Sequence, residues 1–412
     1  MNPAFPEYIF GFTFKGTRYL YNSYNHALAR LSNPDIGVDD TELLKKRGFF
    51  DNFDRVKKEF MTHREDSLYI GIQPTLRCNF RCDYCYQTHR EIDLDSSVFK
   101  KLQRYLESVF SERRYSRLKV GIVGGEPTIS DIPLNIIIER IDEMANQLSV
   151  RADYYIYTNG YESLPLMDLK TSHPIQLFIT ITNPQEHNNR RITIAGKPTF
   201  DKIIENINRL HESNPNLDFV IRYNVSAGNM DEFDGFLDLL LDKLIFKPKI
   251  TIVPLTSTRW YETDLSTSKF LRWTCKTAIP SIRAHELEPV FGYSTTAHRC
   301  KAYSSDSIDI RANGSLGRCV SDTSPVASES ELHSLSREST ELENYPCRSC
   351  RFLFICGGRK LCRTGCDYTR RLNDLLMMLD YVENEKSCEG ITFVKDAGKS
   401  IIIYSASARL DD

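Results

Sequence analysis

The sequence predicts an α/β fold in which an open, partial barrel of six strand–helix units lies between a small N-terminal α+β segment and a cysteine-rich C-terminal region. Three observations support this division. Short apolar runs alternate with longer helical patterns from residue 68 to residue 255. This periodicity weakens after residue 300, where most of the 12 cysteines are found. A chain of 412 residues also exceeds the size at which single cores stop growing, so two or three domains are expected.

Residues 1–66 are predicted to be a separate small segment. Two strand-like runs cover Tyr8–Phe14 and Thr17–Tyr21, and helical patterns follow at Asn25–Leu31 and Val56–Phe60. The simplest interpretation is a cap on the open side of the barrel.

The barrel itself is predicted over residues 67–256. Its strand candidates are Leu68–Pro74, Leu118–Val123, Tyr154–Thr158, Gln176–Thr182, Phe219–Val225 and Ile250–Leu255. Helical patterns lie between them at Ser97–Phe110, Leu134–Leu148, Phe200–His211 and Asp231–Leu244. Strands that alternate with helices form a parallel sheet with right-handed crossovers. Six units are too few for a closed eightfold barrel, so we expect an open one with its chemistry at the C-terminal ends of the strands.

Composition argues against several classes of protein. A net charge of −2 gives no general reason to expect a nucleic acid partner. The first residues, MNPAFPEYIF, lack the basic region of a secretory signal, and no segment approaches eighteen consecutive apolar residues. No membrane association is therefore expected. Cysteines without a signal peptide favour metal or redox chemistry in a reducing compartment, which predicts a cytoplasmic location.

A cysteine loop directly follows the first barrel strand. Cys78, Cys82 and Cys85 have Cx3Cx2C spacing, which can place three thiolates on one side of a single loop. A cubane [4Fe-4S] cluster normally takes four protein thiolates, so three would leave one iron open to a small molecule. A structural zinc site is the alternative, although it usually closes with a nearby fourth ligand, and His89 lies at an unusual offset. The spacing by itself leaves both metals open.

A second motif, Gly124-Gly125-Glu126-Pro127-Thr128, follows the apolar run Leu118–Val123 about forty residues later. Together with the loop CNFRCDYCYQ, in which Tyr84 precedes the last cysteine, it resembles the radical S-adenosylmethionine (radical SAM) superfamily. That resemblance implies a partial (β/α)6 TIM-like barrel. It also implies a [4Fe-4S] cluster held by the three loop cysteines, with S-adenosylmethionine on the open iron.

The resemblance also assigns residues to the S-adenosylmethionine site. The residues expected to contact this cofactor are Tyr84, Gly124, Gly125, Glu126, Pro127, Asn159, Thr180, Arg191 and Leu255. Glu126 or nearby carbonyls would accept from the ammonium group, and Gly124 and Gly125 allow close approach of the backbone. Thr180 would contact the ribose and Arg191 the carboxylate, although the family commonly has Ser and Asp where Thr180 and Thr182 stand. No catalytic base is identified.

The remaining chain is divided into a bridging region, 257–299, a cysteine-rich domain, 300–392, and a C-terminal strand or tail, 393–412. In the cysteine-rich part, Gly314 lies five residues before Cys319, and a Cys-x2-Cys-x5-Cys run begins at Cys347. This order resembles the SPASM domain of peptide-modifying radical SAM enzymes. It departs from the family at Lys360, where a cysteine is usual.

A SPASM domain implies two auxiliary [4Fe-4S] clusters held by eight cysteines. The outer cluster would take Cys347, Cys350, Cys356 and Cys388, and the inner one would take Cys300 and Cys319 with Cys362, Cys366 or both. Cys275 is left over and is expected to behave as a small apolar residue. Two zinc knuckles are the alternative for this region.

The function implied is a peptide maturase that cleaves S-adenosylmethionine reductively to a 5′-deoxyadenosyl radical. The radical would abstract hydrogen from a ribosomally made precursor peptide and leave a thioether, C–C or C–O cross-link or an oxidised side chain. A flavodoxin or ferredoxin would supply electrons, and residues 1–66 would be either the cap or a leader-peptide-binding module. Sulfatase maturation ranks second, because that branch has Asp directly after the cysteine matching Cys319 and Val320 stands here. A zinc-binding scaffold for nucleic acid is the third interpretation.

Overall fold

The computed structural model describes the barrel region almost completely and the two ends of the chain in part. The described residues are 9–14, 16–22, 28–32, 38–46, 49, 66–215, 217–255, 257–258, 261–266, 269–270, 273–290, 306–317, 393–397 and 401–406. The chain divides into two compact units. One comprises Met1–Arg64, Gly292–Ser304 and Ser336–Asp412, and the other comprises Glu65–Phe291 and Ser305–Leu335.

The first unit is built on a five-stranded antiparallel sheet. Its strands are β1 (Ile9–Phe14), β2 (Thr17–Asn22), β3 (Leu28–Leu31), β15 (Phe393–Ala397) and β16 (Ile401–Ala406), in the order β1-β2-β3-β16-β15. Helix α1 (Val38–Lys46) belongs to the same unit. The first two predicted strands are confirmed. The sheet joins the two ends of the chain, which the sequence analysis treated as separate segments.

The helix predicted over Asn25–Leu31 is wrong. Leu28–Leu31 forms strand β3, which pairs with β2 on one side and with β16 on the other. Local sequence favoured a helix there, but two neighbouring strands supply backbone partners that a local pattern does not reveal. The second predicted helix, Val56–Phe60, lies outside the described residues.

The second unit contains the predicted barrel. Its strands are β4 (Ser67–Ile72), β5 (Phe80–Cys82), β6 (Arg117–Ile122), β7 (Arg151–Thr158), β8 (Ile175–Thr180), β9 (Arg191–Thr193), β10 (Leu217–Val225), β11 (Lys249–Pro254), β12 (Glu288–Pro289), β13 (Ser307–Ile310) and β14 (Leu316–Gly317). Its helices are α2 (Val98–Glu112), α3 (Leu134–Gln147), α4 (Leu164–Met167), α5 (Pro184–Arg190), α6 (Phe200–Ser213), α7 (Phe233–Lys243) and α8 (Ile279–Ala284).

The main sheet has the strand order β12-β11-β10-β8-β7-β6-β4-β13-β14. Six neighbouring strands of this sheet are parallel, namely β4, β6, β7, β8, β10 and β11. Each predicted barrel strand overlaps one of them. The α/β fold class and the six parallel strands are therefore confirmed. β13 and β14 extend the sheet beyond β4, because β13 pairs in parallel with β4. They come from residues that the sequence analysis assigned to the C-terminal domain.

The helices pack on one face of this sheet. Tyr223 of β10 contacts Phe233 of α7, with ring centroids 4.9 Å apart. A Cβ on Gly160 would touch both Ile179 of β8 and Ile203 of α6. Because side chains alternate along a strand, the neighbours of Tyr223 and Ile179 face the inner side of the barrel.

This inner side is more polar than the helix side. Strand register places these residues on it: Tyr155, Tyr157, Gln176, Phe178, Thr180, Arg222, Asn224 and Thr251. Ile175, Leu177 and Ile179, the helix-side residues of β8, are all buried. No helix in the described part of the chain is long and apolar enough to cross a membrane.

Candidate active site

The cysteine loop lies at the C-terminal end of β4, as the sequence predicted. Cys78, Cys82 and Cys85 are unpaired thiols and are half-buried. Burial raises the pKa of all three, that of Cys78 to about 12, and the other two thiols raise it further. Repulsion from Cys82 also raises the pKa of Cys85, so the thiolate forms of the loop cysteines disfavour one another. A bound cation would remove that cost, as expected for metal ligands.

A short antiparallel ribbon holds this loop in place. β5 pairs with β9, so that Cys82 lies opposite Arg191 and Phe80 lies opposite Thr193. The Ile194 N–H adds a hydrogen bond of 2.9 Å to the Asn79 carbonyl. The backbone therefore places Arg191 beside the cysteines, although more than one hundred residues separate them in sequence.

Arg191 is a buried cation with incomplete hydrogen bonding. Its side chain donates through Nη1 to the Tyr84 hydroxyl at 3.0 Å, while Nε is buried and has no hydrogen-bond partner in the described part of the chain. Burial by itself lowers the pKa of Arg191, but Tyr84 and Cys82 more than offset this and raise it. The guanidinium therefore stays charged and keeps one donor free for a ligand.

Two further buried polar atoms at this edge of the sheet also lack partners among the described residues. The Asn224 side chain donates to the Tyr84 hydroxyl at 3.3 Å, but its Oδ1 accepts from no group. The Asn79 amide nitrogen is likewise without an acceptor. Buried polar atoms are nearly always satisfied, so this cluster of two donors and one acceptor indicates a missing polar ligand. The carboxylate and ammonium groups of S-adenosylmethionine fit it.

The predicted glycine turn packs directly on the backbone that leads into the cysteine loop. The N–H groups of Gly125 and Glu126 donate to the carbonyls of Thr75 at 2.9 Å and Arg77 at 2.8 Å. A Cβ at Gly125 would lie 1.9 Å from the Arg77 carbonyl oxygen, and one at Gly124 would lie 2.6 Å from that of Thr75. Both glycines are therefore needed for contact between two protein segments, which fixes the position of the cysteine loop.

Glu126 is buried and fully hydrogen-bonded within the protein. Oε1 accepts from the backbone N–H of Thr128 at 3.2 Å, from its hydroxyl at 2.8 Å and from the Thr158 hydroxyl at 2.6 Å. Oε2 accepts from the Asn159 N–H at 2.6 Å. Burial raises the pKa of Glu126, and these hydrogen bonds oppose the rise. The carboxylate joins the ends of β6 and β7, and Pro127 begins a 3-10 turn between them. Its predicted bond to an ammonium group stays a prediction.

The other predicted cofactor contacts lie at the same edge of the sheet. Asn159 donates through its side chain to Asn79 Oδ1 at 2.7 Å, which links β7 to the cysteine loop. Thr180 is the last residue of β8 and lies opposite Arg222. Leu255 follows β11, is buried and donates its N–H to the Val225 carbonyl at 2.8 Å. These positions agree with a site at the C-terminal ends of the strands, but the contacts themselves stay predictions.

Sequence reasoning missed several residues that complete the site. Asn224 contacts Tyr84, and the Arg190 guanidinium carbon lies 5.7 and 5.0 Å from the ring centroids of Tyr84 and Tyr261. Arg190 also forms an ion pair of 3.1 Å with Asp83 in the cysteine loop. The signal for Asn224 was a polar residue near the end of a buried strand. No local signal marked Tyr261, which lies beyond the last barrel strand.

The predicted auxiliary cluster ligands lie outside the described residues. These are Cys300, Cys319, Cys347, Cys350, Cys356, Cys362, Cys366 and Cys388. Gly314 is described, and its φ of 75° forms a left-handed turn between β13 and β14. The two auxiliary clusters therefore stay a prediction.

Known proteins resemble this chain over its barrel region. The profile of the radical SAM superfamily matches residues 72–240. The chain carries a radical SAM domain. Among curated relatives, GTP 3′,8-cyclase from Alkaliphilus oremlandii is 30% identical over 196 residues, which cover 45% of this chain and 57% of the relative. An S-adenosylmethionine-dependent nucleotide dehydratase from Fibrobacter sp. is 27% identical, over 43% of this chain and 54% of the relative.

Solved structures resemble the fold over a larger part of the chain. The anSMEcpe structure with bound AdoMet has a TM-score of 0.57 at 15% identity and covers 77% of this chain and 94% of that one. Streptococcus suis SuiB bound to S-adenosylmethionine has a TM-score of 0.52 at 16% identity, covering 89% of this chain and 96% of SuiB. At such identities the likeness shows the fold alone, a partial TIM-like radical SAM core. The chain spans little more than half the length of the curated relatives.

Proposed function

We propose that this protein is a radical SAM peptide maturase that modifies a ribosomally made precursor peptide. One observation carries the proposal. Three half-buried cysteines of one loop lie at the C-terminal edge of a partial barrel, where Arg191, Asn224 and Asn79 have buried polar atoms without partners among the described residues. This set of donors suits a metal cluster and an amino acid ligand side by side.

The residues of the site divide into two groups by what they would hold. Cys78, Cys82 and Cys85 would bind the [4Fe-4S] cluster, and Arg191 would bind the carboxylate of S-adenosylmethionine. When bound, this pair supplies reductive cleavage to a 5′-deoxyadenosyl radical that takes a hydrogen atom from the substrate. The protein would hold both groups in a fixed orientation through these side chains.

The choice of a peptide substrate is supported by the extent of the fold match. Most of this chain superposes on SuiB, including parts beyond the radical SAM domain, and SuiB has been solved with its precursor peptide SuiA. The anSMEcpe structure has also been solved with a bound Kp18Cys peptide. The curated relatives named for nucleotide chemistry match over less than half of this chain. Their likeness therefore concerns the part of the chain that would bind the cofactor in peptide-modifying and nucleotide-modifying enzymes alike.

The proposal extends to the rest of the chain. Two auxiliary clusters, held by the C-terminal cysteines, would accept an electron or anchor the substrate. The reductant would be a flavodoxin or ferredoxin. The five-stranded sheet has β1 and β15 at its edges, and an exposed edge strand can bind an extended leader segment through backbone hydrogen bonds.

Sulfatase maturation is the second candidate, as the resemblance to peptide-modifying radical SAM enzymes implies. Val320 argues against it, since that branch has an acidic residue at this position. A sulfatase-derived peptide containing the target Cys or Ser would gain formylglycine only under the second candidate. Mass spectrometry of that peptide after anaerobic incubation separates the two.

The main test is anaerobic reconstitution followed by product analysis. We expect about twelve irons per chain for three cubanes, and formation of 5′-deoxyadenosine once dithionite is added. Co-expression with short peptides from neighbouring genes should then give a mass change in one of them. Bound zinc without iron would instead support the scaffold interpretation and overturn the proposal.

Hydrogen exchange on the complex of the protein with its precursor peptide tests leader binding. Binding of the leader should protect the backbone amides of residues 9–14 from exchange.

A further inference from the structure

Arg222 is a cation inside the barrel that the site described above does not use. It lies on β10 between Val220 and Asn224, and strand register places it beside Thr180 of β8 and Thr251 of β11. Its neighbour Tyr223 points towards the helices, so the Arg222 side chain points to the inner side. The adjacent strands thus surround it with hydroxyl groups and no carboxylate at its own level.

Among the residues that the structure describes, Arg222 has no hydrogen bond or ion pair through its side chain. Its Nε is buried and without a partner. Two other basic residues of the unit are paired: Lys249 on the next strand lies 2.9 Å from Asp218, and Arg190 lies 3.1 Å from Asp83. A half-buried guanidinium without a counter-charge is costly, because burial removes water from a charge that no protein group compensates.

The surroundings of Arg222 form a wall suited to an organic ligand. Tyr157 stacks on Phe178, with ring centroids 4.6 Å apart and planes inclined by 17°. Burial raises the pKa of Tyr157, while the charge of Arg222 lowers it, which places the guanidinium near this pair. A flat aromatic wall with one cation and flanking hydroxyls is typical of a pocket that binds an anionic organic group.

The position along the strand separates Arg222 from the cofactor contacts. Asn224 lies two residues further towards the C-terminal edge on the same face, and it contacts Tyr84 of the cysteine loop. Two residues of a strand span about 7 Å, so Arg222 lies one level deeper in the barrel than that contact. A group bound there would extend inward from the cysteine loop.

We propose that Arg222 binds a carboxylate of the peptide substrate, from an acidic side chain or the peptide C-terminus, and so places a neighbouring carbon below the cofactor. This inference rests on the proposed function, because it assigns the substrate of that same site. Arginine binds carboxylates through two parallel hydrogen bonds, which fixes orientation as well as position. The residues paired with Arg222 are neutral, and one positive charge matches a carboxylate better than a polyphosphate.

The experiment measures binding of defined peptides to the reconstituted enzyme loaded with S-adenosylmethionine. The probes are acetyl-Gly-Xaa-Gly-amides with Asp, Glu, Asn or Gln at Xaa, together with acetyl-Gly-Gly-Gly as the free acid and the amide. Ligand-observed NMR under anaerobic conditions gives the dissociation constants. We expect at least one acid to bind about tenfold more tightly than its amide, since a charge-assisted hydrogen bond is worth roughly that factor. The side-chain and C-terminal series identify the source of the carboxylate.

Two variants of Arg222 and one matched control complete the design. Arg222→Gln should remove the preference for the acid, and Arg222→Lys should keep part of it. Lys249→Gln removes an equal charge from the neighbouring strand. Because Lys249 already forms an ion pair with Asp218, this change should leave the preference for the acid unchanged. Lys249→Gln should also form 5′-deoxyadenosine from S-adenosylmethionine at the rate of the unmodified protein. Arg222→Gln and Arg222→Lys should still bind S-adenosylmethionine, which shows that both variants are folded.

Several results would overturn the inference. Equal binding of acids and amides to the unmodified enzyme would do so without any variant. Loss of S-adenosylmethionine binding in Arg222→Gln would assign the residue to the cofactor instead. Tight binding of GTP that disappears in the same variant would assign it to a phosphate. Failure of the proposed function has a different signature, because the unmodified protein would then form no 5′-deoxyadenosine at all.

Discussion

Two regions flank the cysteine loop, and they differ in how far the protein satisfies its own buried charges. In the turn at 124–128, the Glu126 carboxylate accepts four hydrogen bonds from protein groups. In the ribbon on the other side, Arg191 has a buried nitrogen for which the described residues provide no partner. Both residues were predicted to contact the same cofactor. The comparison indicates that the turn mainly holds the loop in place, whereas the ribbon presents groups to a ligand.

The largest effect is expected from the cysteines, which both regions position. Replacing Cys78, Cys82 and Cys85 together with Ala should abolish 5′-deoxyadenosine formation. About two thirds of the iron should remain, because only one of three predicted clusters loses its ligands. Product analysis and iron determination check this. Turnover by the triple variant would disprove the assignment of the cluster.

Glu126→Ala tests the satisfied side of the comparison. It leaves buried donors of Thr128, Thr158 and Asn159 without an acceptor, so the free energy of unfolding should fall by about 3 kcal/mol. Denaturant unfolding of the metal-free protein measures this. Glu139→Ala, at an exposed position of α3, is the matched control and should change stability by less than about 0.5 kcal/mol. Unchanged stability in Glu126→Ala would mean that the carboxylate serves the ligand alone.

Gly125→Ala tests whether the turn is needed for packing against the loop. The new Cβ would meet the Arg77 carbonyl, so one backbone must move, at a cost of about 2 kcal/mol. Iron incorporation should fall with it, because Arg77 precedes the first cysteine. The control is Gly235→Ala, since a Cβ on that α7 residue would meet no atom within 4 Å. It should be neutral or slightly stabilising.

Arg191→Met tests the unsatisfied side. Affinity for S-adenosylmethionine should fall about tenfold or more, because a charge-assisted hydrogen bond to the carboxylate is lost. Stability without ligand should change by less than about 1 kcal/mol, since an incompletely paired buried charge leaves with it. Equilibrium binding and denaturant unfolding measure the two quantities. Arg209→Met, at an exposed ion pair on α6, should alter neither. A large loss of stability with unchanged affinity would reverse the roles of the two regions.

The smallest effect is expected at Cys275, which the sequence analysis left outside all three clusters. Cys275→Ala should retain the full iron content and the full rate of 5′-deoxyadenosine formation. Iron determination beside the unmodified protein is sufficient. Loss of about four irons would show that one auxiliary cluster uses this residue.

Long-range pairing explains where the sequence analysis and the structure differ. The strands of the barrel were predicted nearly to their ends, because alternating apolar runs and helical periodicity are local properties. Leu28–Leu31 was predicted as a helix, yet its backbone partners include β16, which lies more than 350 residues away. No pattern around Leu28 contains that information, since cross-strand pairs determine the conformation of such a segment.

The sequence by itself indicated the radical SAM domain, the cysteine loop and the strand edge at which the candidate site lies. These follow from spacing: a Cx3Cx2C loop after one strand and a glycine turn after the next are readable without coordinates. Only the tertiary structure decided which predicted residues have free hydrogen-bonding capacity. It showed that Glu126 accepts hydrogen bonds from Thr158 and Asn159, and that a ribbon brings Arg191 to Cys82. Arg222 has no counter-charge among the residues that the structure describes. The physical reason is that satisfaction of a buried charge depends on atoms from distant segments, which only the packed chain brings together.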